Sequence, residues 1–180
     1  MINATLPFAA VSRLPSLEIL LVEDNPGDAL LAREALGLFG DADADDSRAA
    51  DARNAARGAA AAARAAGYRL RVVPDGSEAM DFLHRRNGHR DAPRPHLILL
   101  DLNLPDVDGL DLLARIKSDP ALMSIPVVVL STSDAPEDIA EAYRRHANCY
   151  VTKPIELDDY VRVLKSVGAY WSATVRLPAS

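Results

Sequence analysis

Residues 96–109 read HLILLDLNLPDVDG. The unbroken apolar run Leu97–Leu100 lacks the alternation of a half-exposed strand, and fits a parallel strand buried on both faces. It stops at an acid, Asp101, and the turn residues Pro105 and Gly109 follow. PVVVL at 126–130 repeats this design and stops at Ser131-Thr132, while LEILLVEDN at 17–25 ends in Glu23-Asp24. YRLRVV at 68–73 and the short NCYVTKP at 148–154 complete five strand candidates. Helical spacing lies between them: Leu30, Leu31, Glu34, Ala35 and Leu38; then Ala79, Met80 and Leu83; then Leu112, Leu113 and Ile116. PEDIAEAYRRHA and the stripe Leu157, Tyr160, Val161 and Leu164 follow. Five strands alternating with five helical segments predict right-handed βαβ units and an open, doubly wound parallel sheet. Such sheets place their sites outside the carboxyl ends of the strands.

Composition narrows the classes. The chain has 180 residues, 49% of them hydrophobic and 26% charged, which is ordinary for one soluble globular domain. A net charge of −6 argues against a nucleic-acid binder, which would show a basic face. The single Cys149 excludes an internal disulfide. No apolar run approaches a membrane span, and MINATLPFAAVSRLP lacks the basic and apolar regions of a signal peptide, so a cytoplasmic location is expected. His84, His89, His96 and His146 show no metal-ligand spacing and read as solvated surface residues. Cys149 reads as a small packing residue.

The strand ends carry the chemistry. Glu23, Asp24, Asp101, Ser131, Thr132 and Lys153 all sit where a strand stops. Each alone is common, since acids after strands most often cap helices. Together, three carboxylates converging on one crevice would repel unless a cation neutralised them, and oxygen-only ligation suits Mg²⁺. A lysine and a hydroxyl are donors for phosphoryl oxygens, so the set fits phosphoryl transfer to a carboxylate nucleophile.

From about Leu17 to at least Leu164 the chain resembles response-regulator receiver domains of two-component signalling. The resemblance rests on the adjacent acids Glu23 and Asp24, on Asp101 in LILLDLNLPDVDG, on Ser131 after the fourth strand, and on Lys153 before Pro154, with Tyr150 three residues earlier. It implies a flavodoxin-like sheet of order 2-1-3-4-5. Asp101 is the implied phosphoacceptor, and the metal ligands are Glu23, Asp24, Asp101 and the backbone carbonyl of Asn103. Lys153, Ser131, Thr132 and Tyr150 are the implied catalytic and switch residues, and the partner is a sensor histidine kinase. VEDNPGD, KSDPALMSIPVVVLSTSD, the Lys-Pro stretch and Trp171 followed by TVRLP resemble regulators paired with bacterial phytochrome kinases.

The domain reading is an N-terminal extension at 1–16, a receiver at 17–172 and a tail at 173–180. Little chain follows the last helix, so output through a surface is expected. Tyr143 and Tyr160 read as core-facing. Tyr170 and Trp171 are candidates for a homodimer interface through the last helix and tail. Two other classes are open. A partner-binding module that is never phosphorylated would be expected to lack one key residue, and none is missing. An aspartate-nucleophile phosphatase needs a second Asp where this chain has Asn103.

One stretch departs from the family pattern. DADADDSRAADARNAARGAAAAARAAG at 41–67 is about half alanine and stands where the family has a short turn. Alanine favours a helix, the acids gather early and the arginines late, and Arg53, Arg57 and Arg64 would fall within about 40° on a helical wheel. A helical segment and a disordered loop both fit this composition.

Overall fold

The computed structural model describes residues 16–36 and 67–177. The alanine-rich insertion, apart from its last residue Gly67, lies outside the described residues. The elements are β1 (Leu17–Val22), α1 (Pro26–Ala35), β2 (Tyr68–Val73), α2 (Gly76–Leu83), β3 (Leu97–Asp101) and α3 (Gly109–Ser118). They continue as β4 (Val127–Ser131), α4 (Pro136–Arg144), β5 (Cys149–Thr152), α5 (Leu157–Ala169) and a π-helical turn, Tyr170–Thr174. All strand pairs are parallel and the order is β2-β1-β3-β4-β5, as expected.

Unbroken apolar strands follow from two cores. Leu20, Val22, Ile98, Leu100, Val127 and Val129 face α2, α3 and α4, meeting Ala79, Phe82, Leu112, Leu113, Ile116 and Ala142. Their neighbours Ile19, Leu21, Leu97, Leu99, Val128 and Leu130 face α1 and α5, meeting Ala32, Ala35, Leu36, Tyr160 and Leu164. Alternate side chains therefore enter opposite cores, and neither parity can be polar. β2 lies at the edge and alternates instead, with Arg69 and Arg71 exposed between half-buried Tyr68, Leu70 and Val72.

Several expectations are corrected here. Leu30 is 52% exposed and Leu157 is 63% exposed, because α1 turns Ala32, Ala35 and Leu36 inward and α5 turns Tyr160 and Leu164 inward. Tyr143 is exposed rather than core-facing, and its hydroxyl accepts from the Tyr150 amide at 3.3 Å. His96 is not a solvated histidine: its Nδ1 accepts from the Glu18 amide at 3.0 Å, and burial lowers its pKa. No described helix is long and apolar enough to cross a membrane.

Gly109 is the tightest point beside the strand ends. A Cβ there would strike the Leu102 Cα and lie 2.7 Å from the Asp101 carbonyl oxygen and 2.9 Å from that of Leu102. All three are backbone atoms, which cannot rotate away. Gly109→Ala is expected to cost about 2–3 kcal/mol, seen as a lower urea midpoint at unchanged slope. An unchanged midpoint would show that the loop has slack.

Candidate functional site

Ladder hydrogen bonds carry the backbone past each strand and aim the next residues into one crevice. The Glu23 amide donates to the Val73 carbonyl at 3.0 Å, Leu102 to Leu130 at 3.3 Å and Lys153 to Ser131 at 2.7 Å. The segment Glu23-Asp24-Asn25-Pro26-Gly27-Asp28 then folds on itself. Glu23 Oε1 accepts from the Asn25 amide at 3.1 Å, and Asn25 Oδ1 caps α1 through the amides of Gly27 (2.8 Å) and Asp28 (3.4 Å). Pro26 enters the first turn, where no amide is needed.

Four acids and one lysine meet here. Lys153 Nζ donates to Asp101 Oδ2 at 2.7 Å, Glu23 Oε2 at 2.7 Å and Asp28 Oδ2 at 2.8 Å. Its ammonium also lies 5.8 Å from the centre of the buried Tyr160 ring, a cation–π approach. Asp101 Oδ1 accepts from the Asn103 amide at 2.9 Å, which orients the carboxylate. Glu23 and Asp101 are buried, Asp24 is exposed, and the three offer oxygens within 4.8 Å of one another.

The electrostatics follow from that crowding. Burial alone would lower the Lys153 ammonium, but the ionic hydrogen bonds to Asp101, Asp28 and Glu23 outweigh it and hold the pKa above the ordinary lysine range. Burial pushes the Glu23 carboxyl up to about 7 against the pull of Lys153, while Asp101 adds to the rise. A single ammonium cannot offset four acids, and three carboxylates so close, one open to solvent, suit a hard divalent cation with oxygen ligands. The sign of the pH effect follows. In metal-free protein Glu23 binds its proton more tightly folded than unfolded, so its stabilisation is full below 4.5 and is lost as pH rises through about 7. Metal-free protein is expected to lose stability across this range, a loss that Glu23→Gln removes in melting curves. Parallel curves for the two proteins would contradict it.

The remaining candidates sit around this centre. Ser131 is buried, and its Oγ accepts from the Ser133 amide at 3.2 Å. Thr132, next to it, is exposed. Tyr150 is half-buried against the core, and its hydroxyl donates to the Ser133 carbonyl at 2.9 Å, so its ring is already turned inward. Asn103 is exposed on the loop after β3. Tyr170 is 55% exposed, whereas Trp171 packs against the core beside α1 and α5, their rings edge to face with centroids 5.8 Å apart.

Sequence reasoning missed three residues. Asp28 reaches Lys153 from the first turn of α1, and its place just after the acids Glu23 and Asp24, beyond the Asn25 cap, was the available signal. Ser133 ties Ser131 and Tyr150 to one loop: its amide donates to Ser131, its carbonyl accepts from Tyr150, and its Oγ donates to Asp138 Oδ2 at 2.6 Å. Asp106 accepts from the amides of Gly76 and Ser77 and from the Ser77 hydroxyl, which fastens the loop after β3 to α2. The Ser-Thr-Ser run was the local signal for the Ser131–Ser133 contact, whereas nothing local marks the Tyr150 contact or Asp106, whose partners are 17 and 29 to 30 residues away.

Comparison with known proteins agrees with this geometry. The family described as "Response regulator receiver domain" matches residues 49–165, downstream of β1 and α1. Over 166 residues the chain is 37% identical to the response regulator Rcp1 of Synechocystis sp., covering 92% of this chain and 96% of that protein. The crystal structure of the phosphorylated cyanobacterial phytochrome response regulator RcpA superposes with a TM-score of 0.73 at 40% identity, covering 91% of this chain and 99% of that one. The Mn²⁺-bound form of Rcp1 gives 0.71 at 38% identity over the same shares.

Proposed function

The chain belongs to the response regulator receiver domain family and is similar to phytochrome response regulators within it, and from that premise we propose that it accepts a phosphoryl group on Asp101 from a sensor histidine kinase. The observation that carries the proposal is the buried Asp101 carboxylate, held by the Asn103 amide on one oxygen and by Lys153 on the other. An Asp101 oxygen attacks phosphorus, the P–N bond to a kinase phosphohistidine breaks, and the histidine keeps the electron pair. Lys153 stabilises the charge that spreads over the equatorial oxygens.

Glu23, Asp24, Asp101 and the Asn103 carbonyl would hold Mg²⁺; a relative binds Mn²⁺. When bound, the cation supplies the positive charge that four acids and one lysine leave missing. The Ser131 hydroxyl, whose oxygen accepts from the Ser133 amide, turns to donate its proton to a phosphoryl oxygen. That turn pulls on the segment to which the Tyr150 hydroxyl is anchored, and the surface over β4, α4 and β5 changes. Thr132, exposed beside Ser131, would modulate the approach of hydrolytic water.

A phytochrome-type kinase is the proposed partner, from the likeness to RcpA and Rcp1. Exposed Tyr170 marks the end of α5 as the proposed homodimer face, and sedimentation showing only monomer at high concentration would remove it. The primary test is mass spectrometry after incubation with Mg²⁺ and a small phosphodonor. One added phosphoryl group per chain is expected; its absence would favour a binding module that is not phosphorylated.

A further inference from the structure

We propose that Asp28 is a positioning acid that competes with the phosphoryl group for Lys153, so that phosphorylation exchanges an Asp28–Lys153 ion pair for a phosphoryl–Lys153 contact. The inference rests on the phosphoacceptor reading above. An ammonium has three N–H donors, and here each has a carboxylate acceptor: Asp101, Glu23 and Asp28. A phosphoryl oxygen can reach the lysine only if one of them lets go.

Exposure decides which. The Glu23 side chain is 1% exposed, so release would leave a buried carboxylate oxygen without its lysine donor, and phosphorylated Asp101 keeps a carbonyl oxygen that can go on accepting from Lys153. The Asp28 side chain is 25% exposed and can be hydrated on release. Asp28 also stands outside the three-acid group suited to a cation, so it loses no other partner there. Its reach is set locally, because the Asn25 cap fixes the first turn of α1 and leaves Asp28 facing the crevice.

A charge at this place acts with opposite sign on the two ligands of the crevice. It attracts a divalent cation and repels a phosphoryl group, while its hydrogen bond occupies the donor that the phosphoryl oxygen needs. A residue needed only for folding would affect both ligands in the same direction.

The test compares the full chain with Asp28→Asn and Asp28→Glu by calorimetry. Mg²⁺ alone is titrated first, then beryllofluoride at saturating Mg²⁺ as the phosphoryl mimic. Asp28→Asn is expected to bind Mg²⁺ more weakly and beryllofluoride about fivefold more tightly, the size of one partly exposed ion pair. Asp28→Glu is expected to restore wild-type behaviour for both. Weakening of both ligands in Asp28→Asn, or unchanged beryllofluoride binding, overturns the inference and leaves the phosphoacceptor reading standing. Failure of the wild-type chain to bind beryllofluoride at saturating Mg²⁺ overturns both.

Discussion

Replacing Asp101 with Asn is expected to abolish phosphoryl labelling, whether the donor is a phosphorylated kinase or a small phosphoramidate. The amide preserves the size of the side chain and an acceptor for the Asn103 amide, so the crevice keeps its shape. It loses the charge that makes the oxygen a nucleophile. Folding should survive, because Lys153 retains Glu23 and Asp28 and the crevice has one acid fewer. A hydroxylamine-sensitive label on the wild-type chain, absent from the variant at equal melting temperature, is the expected result. Labelling at the wild-type level would place the acceptor elsewhere and sink the proposed function.

Lys153→Met is expected to produce the largest loss of stability in the crevice. The lysine side chain is 7% exposed and is the common partner of Glu23, Asp28 and Asp101. Methionine fills much of the space but leaves these carboxylates facing one another with no cation. Removing one partner of a buried ionic cluster costs about 3–5 kcal/mol, because the desolvation of the others remains uncompensated. Glu23 is the acid best placed to relieve the strain by taking up a proton, its carboxyl already being raised to about 7. The loss should therefore be greatest at alkaline pH and smaller in mild acid. Mg²⁺ should restore much of it by binding only the folded state. Urea unfolding with and without Mg²⁺ checks this, and an unchanged metal-free midpoint at alkaline pH would show that Lys153 is not what neutralises the crevice.

Both experiments concern residues visible in the chain as written. Asp101 stands where an apolar run stops and Lys153 just past the short edge strand β5, and in a parallel sheet such strand ends converge. The apolar runs were legible because burial on both faces forces every position to be apolar. Legibility fails on the helices: Leu30 and Leu157 match the helical period yet point to solvent, since period alone does not say which face meets the sheet. His96 failed for a related reason. Its partner, the Glu18 amide, is 78 residues away, and local sequence has no record of it.

The sequence by itself determined the fold class, the positions of the acids, hydroxyl and lysine at strand ends, and the family they resemble. All of these depend on local runs and fixed spacings. Only the tertiary structure decided that Asp28 shares Lys153 with Glu23 and Asp101, that Ser133 carries hydrogen bonds of both Ser131 and Tyr150, and that Tyr150 already lies inward. The reason is sequence distance. Asp28 and Lys153 are 125 residues apart and meet only because β1 and β5, with β3 and β4 between them, end on the same side of the sheet, where α1 begins.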